Sequence, residues 1–193
     1  MNAGIVRLSI VLGVVLSGPV CLAAGTPWLD AVMSFDRPSG SSDLGGPASD
    51  ALGPRNYTFV SIDVPETLVL AFTDNSAGDG PGADLAIREL YDCPAIVDVY
   101  ASEDNVTYVH LGTISRTVEF DLADYPTLQY VNYLKFVGLD DSGEHPGYDL
   151  DAAEALYPVA HVETDNGMPA PSAILLAALG TGLVGWLRRH ETH

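Results

Sequence analysis

Positive charge is scarce in this sequence: 8 Lys+Arg stand against 26 Asp+Glu in 193 residues, a formal charge of −18. A surface of that sign repels a nucleic-acid backbone from nearly every side, so no nucleic-acid partner is expected. Cysteine is scarcer still. Only Cys21 and Cys93 occur; if Cys21 leaves with a cleaved leader, Cys93 is a lone thiol, read as buried, and an internal disulfide is excluded. Nucleophile motifs of the G-x-S-x-G kind are absent. The histidines are scattered, with His110 in an alternating run and His145 and His161 in loops. Neither of the last two has a thiol or second histidine at ligand spacing, and with one thiol left the set argues against zinc. Asp98, Glu103, Glu119 and Asp121 are all available as a glycosidase acid pair, and nothing selects two of them. No catalytic residue is assigned, and the chain reads as non-catalytic.

What is present is concentrated at the two ends and in a patterned middle. Residues 1–24 read as a signal peptide: a short start with Arg7, the apolar run LSIVLGVVL, a break at Gly18-Pro19, then the small residues Ala23, Ala24 and Gly25. Gly18-Pro19-Val20 before Cys21 lacks the leucine and small residues of a lipoprotein signal. At the other end no charge occurs from residue 173 to 187, and Arg188-Arg189-His190 follow at once. Two readings compete there, a last core helix and a membrane-directed tail. A core helix shows a polar face at helical period, whereas this run is apolar or glycine all round apart from Thr181. A membrane segment with a basic end kept in the cytoplasm is the better reading, although at about 15 uncharged residues it is shorter than the roughly 20 a full span uses.

Pro169-Ala170-Pro171-Ser172, the leucine- and glycine-rich run, and Gly185-Trp186-Leu187-Arg188-Arg189 together resemble the PEP-CTERM sorting signal of exopolysaccharide-producing Gram-negative bacteria. That resemblance implies export, transient residence in the inner membrane through the C-terminal helix, processing by an exosortase-like membrane protease, and delivery to the cell surface or matrix. Ala170 stands where the family has glutamate.

Between the ends, residues 25–55 are rich in Gly, Ser, Pro and Asp and read as a flexible lead-in. Strand-like runs then recur about every ten residues: YTFVSIDV, TLVLAFTD, ADLAIREL, AIVDVYAS, TYVHLGTI, TVEFDL, YVNYLKFVGL and YDLDAAEALY. In VDVYAS, Val97, Val99 and Ala101 fall on one face and Asp98, Tyr100 and Ser102 on the other. TLVLAFTD is nearly continuous, as in a strand covered on both faces. Residues 102–105 make a hairpin, and DAAEAL is the one plausible helical turn. The expected body, residues 56–160, is an all-β antiparallel sandwich of jelly-roll type, followed by a linker at 161–168 and the sorting signal at 169–193.

FTDNSAGDGPGADLAIRE, VDVYASEDNVTYVHLG and LKFVGLDDSGEHPGYDLDAAEAL resemble the galactose-binding-like β-sandwich modules of bacterial surface proteins. Within the hairpin, Asn105 replaces the usual glycine and Tyr108 the usual tryptophan or phenylalanine. The loop from Thr73 to Asp84 offers many oxygens on a pliable backbone, which suits calcium, a hard ion taking six to eight of them. Asp74, Asn75, Asp79 and Asp84 are the candidate ligands there, joined by Asp149 and Asp151, two apart on a strand, if the fold brings that edge alongside. The alternative is that these residues merely form turns on a solvated surface. The tyrosines Tyr91, Tyr100, Tyr108, Tyr125, Tyr130, Tyr133 and Tyr148 can stack on sugar rings only if several share one exposed face, and otherwise pack as ordinary strand residues. The expectation is an exported, non-catalytic protein with a structural or glycan-associated role in exopolysaccharide or biofilm. A calcium-dependent carbohydrate-binding or adhesion module is the alternative, and a secreted polysaccharide hydrolase is a third reading.

Overall fold

The computed structural model describes residues 25–38, 45–91, 95–139 and 147–161. The expected leader at 1–24, Cys93, His145, the linker beyond residue 161, and the sorting residues Pro169, Ala170, Pro171, Ser172, Arg188 and Arg189 lie outside the described residues. Among the described residues there is no α-helix, and no helix is long and apolar enough to cross a membrane.

Among the described residues, twelve antiparallel strands build the fold. A five-stranded sheet runs in the order β1 (Ala31–Asp36), β3 (Thr67–Ala71), β10 (Tyr133–Gly138), β6 (Val97–Ser102), β7 (Val109–Ile114). A four-stranded sheet runs β2 (Val60–Ile62), β11 (Tyr148–Ala155), β5 (Leu85–Glu89), β8 (Val118–Phe120), and a small one β12 (Pro158–Ala160), β4 (Asn75–Gly78), β9 (Tyr130–Val131). Alternation decides which side chains go inward. Leu68, Leu70, Val97, Val99, Leu134 and Phe136 from the first sheet meet Val60, Ile62, Leu85, Ile87 and Leu150 from the second in one buried core. Each such side chain contributes roughly 1.5–3 kcal/mol by leaving water, so the two sheets form the layers of a sandwich. The alternation expected for β6 is observed, and β3, expected to be covered on both faces, is buried from Leu68 to Ala71.

Three expectations are corrected. The lead-in 25–55 is not uniformly loose: β1 pairs along β3, Leu29 is fully buried, and the Leu29 amide donates to the Ala153 carbonyl at 3.2 Å. Its Gly, Ser and Pro residues flank a strand that covers the β3 edge. DAAEAL is not helical but the second half of β11, whose pairing with β2 and β5 overrides the helix propensity of Ala and Glu. Part of the Asp-rich loop, Asn75 to Gly78, is strand β4, held between β12 and β9 although Asn, Ser, Ala and Gly are poor strand formers. Gly78 permits this close packing, since a Cβ there would lie 2.6 Å from the Val159 side chain.

The hairpin after β6 is built as read. Ser102 Oγ accepts from the Asp104 and Asn105 amides, and Asp104 Oδ1 accepts from Val106 and Thr107 at 2.9 and 2.8 Å. These backbone N–H groups hold the Asp104 carboxyl below its usual range. Asn105 takes φ 61°, the left-handed conformation that the glycine of the resembled modules suits and that asparagine tolerates better than most residues.

Candidate functional site

Of the six residues proposed from sequence to bind calcium, the fold brings two together. Asp79 and Asp84 sit at the two ends of the β4–β5 loop, and Asp121, at the end of β8, joins them. One carboxylate oxygen from each lies within 4.8 Å of the others, the spread allowed to oxygens about 2.4 Å from one calcium ion. Asp84 is fully buried and organises the loop: Oδ1 accepts from the Gly80 amide at 2.7 Å and Oδ2 from the Leu122 amide at 2.8 Å. Asp121 caps the following 3-10 turn by accepting from Ala123 at 2.9 Å. Each oxygen keeps a second lone pair for a cation, so the donor set fits a hard ion.

The other four lie elsewhere. Asp74 and Asn75 are at the opposite end of β4, roughly 15 Å from Asp79 by strand rise. There Asp74 accepts from the Thr26 amide at 3.0 Å, and the buried Asn75 amide donates to the Thr26 carbonyl. Asp149 sits at the far end of β5 beside Leu90, roughly 20 Å from Asp84. Asp151 accepts from Arg55 Nε at 3.2 Å and the Asn56 amide at 3.1 Å. A bulge between Leu150 and Ala152 interrupts the alternation that was to place Asp149 and Asp151 on one face. Asp121 was missed as a ligand because it lies far along the chain; its only local signal is the turn DLAD directly after a strand.

A second cluster occupies the outer face of the five-stranded sheet. Because Leu134, Phe136, Val97 and Val99 face the core, Tyr133, Lys135, Asp98 and Tyr100 face outward, and the register sets Lys135 beside Tyr100 and Tyr100 beside His110. The Lys135 ammonium lies 4.6 Å from the Tyr100 ring centre and 4.1 Å from that of Tyr108. Tyr100 and His110 have ring centres 4.9 Å apart. Asp98 ties the row together, accepting from Thr113 Oγ1, meeting His110 Nε2 at 3.1 Å and accepting from Tyr100 Oη at 3.4 Å. The Thr113 hydroxyl above all, then His110, holds the Asp98 carboxyl below its usual range. Burial above all, then Tyr133 and Asp104 nearby, pushes the Tyr108 hydroxyl up to about 12, so it stays neutral at all physiological pH. This face therefore presents half-exposed aromatic plates, a fixed carboxylate and one ammonium.

The remaining tyrosines divide as weighed from the sequence. Tyr148 is fully buried with its hydroxyl on the Arg116 carbonyl, and Tyr125 packs on Phe120. Tyr91 packs edge-on against Phe59, bordering a shallow cleft of about 300 Å³ with Glu89, Leu90, Arg116 and Thr117. A recess of about 110 Å³ opens beside the hairpin at Glu103, Asp104, Thr107, Val109, Thr127 and Leu128.

No family model matches this chain, and no curated protein matches it. Among solved structures it is similar to the C-terminal domain of a chitobiase from Bacteroides fragilis, at 17% identity and a TM-score of 0.46 over 72% of this chain and 98% of that one. It is also similar to the CBM32 of AlyQ in complex with 4,5-unsaturated mannuronic acid, at 9% identity and a TM-score of 0.42 over 67% of this chain and 98% of that one. Neither likeness assigns a role to any residue here.

Proposed function

We propose that the chain is an exported, non-catalytic β-sandwich of the galactose-binding-like, jelly-roll kind that associates with glycan at the cell surface or in an extracellular polysaccharide matrix. The observation that carries this reading is the outer face of the five-stranded sheet. Tyr100, Tyr108 and His110 gather partly exposed aromatic surface on one face for the C–H side of a pyranose, while Asp98 and Thr113 offer fixed hydrogen-bonding groups to its hydroxyls. Rings and carboxylate already hold one another, so little side-chain freedom is lost on binding.

The apolar leader and the Pro169-Ala170-Pro171 tail support export and handling by an exosortase-like protease, with the inner membrane as a transient station in a Gram-negative-type bacterium and biofilm exopolysaccharide as the destination. A structural calcium ion at Asp79, Asp84 and Asp121 completes the proposal, pinning the β4–β5 loop to the end of β8.

A glycan array read in calcium and in EDTA tests the reading. Binding to a defined set of glycans is expected; an array blank under both conditions ends the glycan-associated function and leaves a purely structural role. Binding lost in EDTA moves the assignment to the calcium-dependent adhesion module, and turnover of any array glycan would revive the hydrolase.

A further inference from the structure

Lys135 is the only lysine in the chain, and it stands on the central strand of the five-stranded sheet. In a protein of charge −18, a cation is expected to find a carboxylate. Arg37, Arg55 and Arg88 do so, at 2.7, 3.2 and 3.2 Å. Lys135 does not: among the described residues its ammonium meets the faces of Tyr100 and Tyr108 and no acceptor oxygen. Ring faces attract a cation, yet they leave its three N–H donors without strong acceptors. An ammonium so placed gains most from an anionic oxygen brought in from outside.

The geometry points to a uronic acid as the sugar this face selects, its carboxylate on Lys135, its ring against Tyr100 and His110, and its hydroxyls toward Asp98 and Thr113. This deepens the glycan reading and rests on it. The flanking groups fix the orientation: Asp98 sits diagonally across from Lys135 on the neighbouring strand, so a carboxylate is drawn to the lysine end of the row and repelled from the aspartate end. A neutral sugar would use the plates and leave the ammonium unmatched. The surrounding acidity does not forbid the contact, because repulsion between exposed charges is largely screened beyond roughly 8 Å at physiological salt, whereas a contact pair is screened much less. Carboxylate is favoured over phosphate because one ammonium balances its single charge, whereas a phosphate brings further negative charge to an already acidic surface.

The test compares the purified protein's binding to glucuronate-containing oligosaccharides and to the same oligosaccharides after carboxyl reduction, which makes them neutral. Wild type should bind the acidic form about tenfold or more tightly than the reduced one. Lys135→Met should bring both to the weaker level with a melting temperature within a few degrees of wild type, while Lys135→Arg should keep part of the preference. Equal binding of both forms by wild type, or a preference that survives Lys135→Met, overturns the uronate assignment and leaves glycan binding standing. Should neither form bind while other glycans on the array do, the uronate assignment alone falls; a blank array removes the glycan reading as well.

Discussion

Two settings in the molecule use positive charge in opposite ways. Where strands end or pair, arginines meet carboxylates: Arg55 pairs with Asp151 of β11, Arg88 of β5 reaches Glu119 of β8 and Glu154 of β11, and Arg37, just past β1, pairs with Glu66, just before β3, while donating to the Ser61 carbonyl of β2. On the outer face of the five-stranded sheet Lys135 is held, among the described residues, by aromatic faces alone. Charge in the first setting is consumed in holding strands together, and in the second it is left available at the surface. The same kind of truncation should therefore cost very different amounts in the two.

Arg37→Met should give the largest effect. Its partner Glu66 is fully buried, 2.7 Å away, and also accepts from the Asp63 amide at 3.1 Å. Removing the arginine strands a carboxylate in the interior, which costs about 3 kcal/mol and lowers the midpoint by on the order of 10 °C. Thermal and urea melts measure it; a loss below about 1 kcal/mol would mean that the pair holds nothing and that the contrast between the two settings is illusory.

Asp84→Asn comes next. The amide can serve one of the Gly80 and Leu122 N–H groups as before, but it presents a donor to the other, at about 2 kcal/mol. It should also abolish any calcium-dependent rise in the wild-type midpoint, because an ion that binds only the folded state stabilises it by mass action. A wild-type melt that is the same in calcium and EDTA would remove the ion from the proposal and leave Asp84 a purely structural carboxylate.

Lys135→Met should change stability by less than about 1 kcal/mol, the range of an exposed cation–aromatic contact. Chemical denaturation beside Arg37→Met gives the ratio directly. If the two variants lose equally, Lys135 is a structural cation and the open face loses its meaning.

How much of this contrast could be read from the letters depends on how local the signal is. The runs that became β6, β7 and β10 carry their alternation in six or so consecutive residues, and the one that became β3 is an unbroken apolar run, so both the strands and the outward positions of Asp98 and Tyr100 were legible. β1 and β4 were not. The first has its alternation broken by a bulge between Val32 and Ser34, and the second is made of Asn, Ser, Ala and Gly, which become a strand only because β9 and β12 lie alongside. The calcium candidates divide for a related reason: closeness in sequence put Asp74 with Asp79 and Asp84, whereas β4 separates Asp74 from them and the turn after β8 brings in Asp121 instead. That Lys135 would lie between two tyrosines depended on pairing β10 with β6, a register no local pattern states.

The smallest expected effect concerns the order of the open face itself. Asp98 is held ionised first by the Thr113 hydroxyl and then by His110, and its carboxyl lies below its usual range. A carboxyl depressed by folding contributes stability that is complete above its unfolded value, about 3.9, and is lost as pH falls through the folded value. Thr113→Val removes the main cause without changing side-chain size appreciably. Because Asp98 is partly solvated, with 19% of its side chain exposed, the loss at neutral pH should stay under about 1 kcal/mol. The difference between variant and wild type should then shrink as the pH is taken below the folded value, where both carry a protonated Asp98. Paired urea melts at pH 6 and in strong acid read this out. A gap that persists unchanged in acid would mean that Thr113 acts through packing, and that the carboxylate of the sugar-facing row is not fixed by it.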